Sequence, residues 1–400
     1  MALATSRLGS IGAWQSGMLF LTYTASGLLG ATYIVKKLGA RDSLIAGMTL
    51  FIAYVGCFLV ATKFQDHRRP IALTGAAIGG VGAGFLWTAQ GAYFGRASEE
   101  HARHLLQPVS VSTASLASIF AFVYLAEEVV LRLLSTILLG VGIISWEIIF
   151  GVYTFVTVIS AVAMFCVHNY PNIEEGEATR STVWYKVTAA WQVLKGDPKM
   201  KYMIGLNAVF GLTSAFLNSY VNGEVVPVAL NDPEAKYIGV LNSWASAMAA
   251  AMSLLFGRVS PRIGRGPVLI FGACCFSGVV FPFLVKPQAQ NWGWAALMIV
   301  YSLHGTGRAT FEGTLKATFA DYFSYEKEGA FANIILQNGL SGAVGYVSKY
   351  YDVCVCLTLC SGINRLTSPG SHDELSNSDI QLALRRTKPI LCRIQRRNSP

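Results

Sequence analysis

Ile71-Ala-Leu-Thr-Gly-Ala-Ala-Ile-Gly-Gly-Val-Gly-Ala-Gly-Phe-Leu-Trp-Thr-Ala-Gln-Gly-Ala-Tyr-Phe-Gly95 runs from end to end without one Asp, Glu, Lys or Arg. A helix needs about 20 apolar residues to cross a bilayer, and this stretch supplies them. In hydrocarbon every backbone N–H and C=O must be satisfied within the segment, so the stretch is a helix rather than a strand. Gly75, Gly79, Gly80, Gly82 and Gly84 suit it to close contact with neighbouring helices.

The pattern recurs along the chain. Ten apolar segments run over about 11–35, 43–62, 71–95, 109–126, 146–167, 201–222, 237–257, 267–286, 293–320 and 329–349. A further run, 133–145, is too short to span alone and is expected to extend the fifth segment or to lie in the interface. Composition agrees: 53% of the residues are hydrophobic and 13% charged, against roughly 25% charged in a soluble domain. The chain is an all-α membrane protein, and the lipid bilayer is its first partner.

The net charge of +9 is uneven. Residues 353–400 hold seven Lys/Arg against Asp373, Glu374 and Asp379, a polar basic tail expected to be disordered. It lacks interleaved aromatics, which argues against nucleic-acid binding. Cys57, Cys166, Cys274 and Cys275 lie in apolar runs, where a thiol acts as a small hydrophobe. Cys354, Cys356, Cys360 and Cys392 lie in the tail without the paired spacings of a zinc site. No metal, no cofactor and no catalytic residue is indicated, and the chain does not read as an enzyme.

One connection is long. Residues 168–200 carry Glu174, Glu175 and Glu177, then Trp184, Tyr185, Val187, Trp191, Val193 and Leu194 mixed with Lys186 and Lys195, an amphipathic surface helix. It separates an N-terminal half, 1–167, from a C-terminal half, 201–352. Placing loop 36–42 inside puts fourteen loop Lys/Arg on the cytosolic side and six outside, Arg132 among the six.

The halves match at a shift of 225 residues. Lys37-Leu38-Gly39 falls on Arg262-Ile263-Gly264, and Gly80-Val81-Gly82 on Gly305-Thr306-Gly307. Such a shift indicates parallel repeats about an axis along the membrane normal. It also leaves segments 201–222 and 146–167 without spanning counterparts, so about ten spans are present of an expected twelve, the first and last helices being absent.

Six-plus-six parallel halves with a basic Leu-Gly loop after the second helix of each resemble the major facilitator superfamily. Gly82-Ala-Gly-Phe-Leu-Trp-Thr-Ala-Gln-Gly-Ala-Tyr93, Asp197-Pro-Lys-Met200 and the stretch from Gly305 to Phe323 look like its UNC-ninety-three-like branch, described as ion-channel regulatory proteins. Phe94-Gly95 departs from that branch, where a hydroxyl residue commonly follows the Tyr. The resemblance covers about residues 11–350. It implies either a transporter of a small solute or ion, or a regulator or escort of a partner membrane protein. It also implies a gating role for the basic loops, Lys37, Arg41, Arg262 and Arg265, which otherwise read as topology determinants snorkelling to the headgroups.

Two groups are candidate substrate-binding residues. Trp87, Gln90 and Tyr93 lie at i, i+3 and i+6 on one side of a helix, where Gln90 either satisfies its amide against a neighbour or lines a central cavity. Arg308, Glu312 and Lys316 recur at i, i+4 and i+8, with Asp321 beyond. A charge at the bilayer centre costs on the order of 2.5–3.5 kcal/mol, so this stripe faces the interior. It is either a neutralised structural network or a polar site for an ion, proton or anionic solute. Three functions remain open: a solute carrier with a midplane site, a non-transporting regulator or escort, and an inactive truncated gene product.

Overall fold

A computed structural model describes residues 10–140, 146–170, 183–232, 237–285, 288 and 292–347. The acidic run 174–177 and the tail 353–400 lie outside them. The described residues are helical with no strand. The helices are α1 (10–38), α2 (Ala40–Lys63), α3 (Arg68–Leu105), α4 (Val109–Gly140) and α5 (146–166), then the surface helix α6 (Val183–Gly196). After it come α7 (198–229), α8 (Ile238–Ile263), α9 (Arg265–Val285), α10 (294–322) and α11 (Lys327–Val347).

Each of the ten apolar segments is a helix, and seven are long and apolar enough to cross a membrane on length and composition alone. Buried polar side chains lower the hydropathy of α10 and α11. One boundary differs from the expectation. Residues 133–140 continue α4 rather than extending the fifth helix, so Glu128 and Arg132 lie inside a helix of 32 residues.

Sequence accounts for the helix ends. Asp197 caps α7, its carboxylate accepting the Lys199 N–H at 2.9 Å, with Pro198 in the first turn. The α1–α2 and α8–α9 corners turn on Gly39 (φ 87°, ψ 164°) and Gly264 (φ 88°, ψ 161°), a region that side chains disfavour. Gly39 N–H donates to Val35 O at 2.9 Å and Gly264 N–H to Ser260 O at 3.0 Å. Both pairs are related by the same shift of 225.

The repeat extends to packing. A Cβ at Gly80 would lie 2.4 Å from Leu19 O in α1, and one at Gly305 would lie 2.3 Å from Ala245 O in α8. Between the halves α4 packs along α8 and α1 along α11. A core of Phe94 and Ala117 with Phe311, Phe319 and Phe331 joins them near the Gly39 and Gly264 corners, the basic end of the bundle. Leu29, Val162 and Ile299 point outward more than 60% exposed, the rim expected of helices that face lipid.

Candidate functional site

The charges of α10 form a ladder that α4 completes. Arg308 donates from both terminal nitrogens to Glu128, at 2.6 and 2.8 Å, a fork matched to the carboxylate. It also donates to the Tyr124 hydroxyl at 3.3 Å. Glu128 is 3.2 Å from Arg132 and accepts from Ser246 Oγ of α8 at 2.8 Å. Arg132 reaches Asn242 O at 2.9 Å and Ser246 Oγ at 3.1 Å. Below Arg308, Glu312 lies 4.0 Å from its Nε, and Lys316 Nζ is 2.7 Å from Glu312 Oε2, too oblique for an aligned hydrogen bond.

Lys316 is capped by aromatic faces. Its Nζ sits 4.3 Å from the Trp87 ring centroid and 5.6 Å from that of Phe120. Trp87 in turn meets Tyr124 edge-on at 5.7 Å. Arg308 falls midway along α10, and Lys316 is about 12 Å further towards the basic end at 1.5 Å per residue. Glu312 lies within a π-helical turn, Thr310–Leu315; such turns are rare and concentrate at functional sites.

The other α3 candidates separate from this cluster. Gln90 has a buried Oε1 with no hydrogen-bond partner. Tyr93 points elsewhere: its hydroxyl donates to His168 O at 3.0 Å and its ring meets Tyr170 at 5.0 Å.

A second set of charges closes the basic end. Lys36 pairs with Glu326 at 2.7 Å, Arg96 with Glu328 at 3.2 Å, and Glu99 with Lys327. Three N-terminal-half charges thus read Glu326-Lys327-Glu328 in alternation. The surface helix joins in, since the Tyr185 hydroxyl donates to Glu326 at 3.2 Å and Asn333 of α11 donates to Ala190 O at 2.7 Å. Helix α3 supplies Arg96 and Glu99 because it runs on: 38 residues span about 57 Å against a hydrocarbon core of about 30 Å.

Of the expected gating residues, Arg265 alone among the four bridges the halves, reaching Asp321 at 2.5 Å, Ser110 O at 3.0 Å and Thr113 Oγ1 at 3.1 Å. Lys37 lies 5.8 Å from the Tyr33 ring centroid, Arg41 pairs with adjacent Asp42 at 3.0 Å, and Arg262 is exposed. Sequence reading placed Lys36 in the basic loop but missed Arg96, Glu99 and Glu326–Glu328 in this role. The alternating signs at 326–328 were the available signal.

A family model for the Major Facilitator Superfamily matches residues 4–346, and the chain belongs to that superfamily. It is an integral, multi-pass membrane protein. Within the superfamily it is similar to several curated members of the UNC-93-like branch. It is 23% identical over 399 residues to Protein unc-93 homolog A of Bos taurus, covering 89% of this chain and 85% of that one. With UNC93-like protein 3 of Arabidopsis thaliana it shares 21% over 385 residues, 92% of this chain and 80% of that one. Among solved structures, the xylose transporter XylE from E. coli superposes with a TM-score of 0.63 at 15% identity, covering 93% and 90% of the two chains. The human organic anion transporter MFSD10 gives 0.59 at 15% identity, covering 89% and 81%. At these identities the structures speak for the fold.

Proposed function

We propose that the protein is a solute carrier whose halves rock about the α4–α10 charge ladder, with the basic end cytosolic. The observation that carries this reading is the Arg308–Glu128 fork at 2.6 and 2.8 Å. It joins the two halves through half-buried charges whose desolvation a purely structural contact would avoid by using apolar residues. The charge pairs at 326–328 act as the closing contact of the cytosolic end, breaking and reforming as access alternates. Trp87, Arg308, Glu312 and Lys316 are the proposed substrate-binding residues, with Gln90 lining the same helix, and Arg265 is the proposed gating residue among the basic loops.

The test is uptake by reconstituted vesicles of a labelled panel of organic acids, amino acids and sugars. Glu312→Gln is expected to bring uptake near background while surface expression stays within about twofold. Loss of expression in proportion to uptake would mark the ladder as a structural network only. The second reading, a non-transporting regulator or escort, draws on the UNC-93-like relatives. It is favoured if no panel member enters while a partner membrane protein co-purifies stably.

A further inference from the structure

Lys316 has bonding capacity that its neighbours leave open. An ammonium carries three N–H donors, and Lys316 has one carboxylate beside it, Glu312 at 2.7 Å. Its remaining surroundings are the rings of Trp87 and Phe120, at 4.3 and 5.6 Å. Ring faces stabilise a cation but do not use up its donors. Arg308, by contrast, spends its fork on Glu128. Phe120 stacks on Tyr124 and Trp87 meets Tyr124 edge-on, one aromatic group beside the ammonium.

Resting on the carrier reading above, we infer that Lys316 docks a carboxylate whose body is flat and apolar, an aromatic acid, and that one proton travels with it. The incoming carboxylate accepts an N–H of Lys316, and Glu312 loses part of its compensating cation. Glu312 then takes one proton from water onto a carboxylate oxygen, so the added charges of −1 and +1 cancel and the buried total is unchanged. The groups facing Glu312 are Arg308 and Lys316 on α10, Tyr23 on α1, and Tyr124 on α4 with Glu128 beyond it. Two cations flank Glu312 and no second carboxylate touches it, so an anion that competes for Lys316 draws one of them away.

The test is calorimetric binding to the purified full chain, with benzoate, benzyl alcohol and benzylamine as probes. Benzoate is expected to bind in preference to the other two, tightening by up to about tenfold per pH unit between pH 8 and 6 as one proton is taken up. Lys316→Met should weaken it about ten- to a hundredfold, the worth of a charge-assisted hydrogen bond, and Lys316→Arg should retain most of it. Glu312→Gln should bind benzoate with no pH dependence. The pair Lys316→Met/Glu312→Gln removes both charges; if it melts like the wild type yet fails to bind benzoate, loss of the ammonium rather than of the fold is responsible. Equal binding of benzyl alcohol or benzylamine, benzoate binding indifferent to Lys316→Met, or silence from all three probes would overturn the inference. The carrier reading is judged separately, by uptake of the wider panel.

Discussion

Helices α3 and α10 align at the shift of 225, yet the aligned positions are apolar in one and charged in the other. At the shift of 225, Ala83 corresponds to Arg308, Trp87 to Glu312 and Gly91 to Lys316. In α3 the positions are filled for packing: Ala83 is 4% exposed beside Tyr23 and Ile335, and Gly91 receives Phe331. In α10 they carry charge, and each charge finds a partner. The two sets then meet across the repeat, since Trp87 of α3 covers Lys316 of α10. Duplicated halves need only a shared backbone; once the backbone is set, the side chains are free to divide the labour. Here the C-terminal half supplies the charged stripe, and the N-terminal half supplies its aromatic wall and its principal anion, Glu128.

The sharpest way to break the comparison is to give α3 the charge that α10 bears. Ala83→Arg places a guanidinium in a packed apolar site beside Tyr23 and Ile335, which costs several kcal/mol. Surface expression should be lost. Normal expression of that variant would mean that α10 tolerates Arg308 for reasons other than Glu128.

Smaller effects follow at the glycines, where the halves are alike. Gly80→Ala and Gly305→Ala each drive a Cβ to within 2.4 Å of a backbone oxygen on the adjoining helix. Each should destabilise by about 1–3 kcal/mol, read as a lowered melting temperature of the purified protein. Gly56→Ala, with nothing within 4 Å of the new Cβ, should be nearly silent. A difference between Gly80 and Gly305 larger than that between either and Gly56 would defeat the repeat.

The smallest perturbation tests sidedness. Lys37 and Arg262 are repeat-related and exposed, so Lys37→Cys and Arg262→Cys should leave stability within about 0.5 kcal/mol. Both should resist an impermeant thiol reagent in intact cells and label after permeabilisation. Labelling of one alone would place the two corners on opposite sides.

The helices were legible because hydropathy acts over whole segments. Gly39 and Gly264 could be paired from sequence, and their backbone angles agree within a few degrees. The anion of the site was hidden for a definable reason. Ending the fourth segment at 126 treated Glu127, Glu128 and Arg132 as a helix end and an outer loop. Exposed Glu127 fits that view, whereas Glu128 one residue on turns inward to Arg308. Hydropathy averages such neighbours, and only the partner on another helix tells them apart. The same holds for Lys36 and Lys37, adjacent in sequence: one joins Glu326 in the other half while the other is exposed. Tyr93 shows the opposite failure, since i, i+6 spacing turns a side chain far enough round a helix to leave the site that Trp87 joins.

In the proposed carrier Glu128 and Arg308 act as one unit between the halves. Its most direct test is a double-mutant cycle, with Glu128→Gln, Arg308→Met and the pair compared by melting of the purified protein. Each single change strands a half-buried charge and should cost about 3 kcal/mol, the lower end for a broken buried pair. The pair should cost less than the sum by about 2–3 kcal/mol. Additivity within about 0.5 kcal/mol would show that the two residues do not interact, and the ladder would not be the contact that joins the halves.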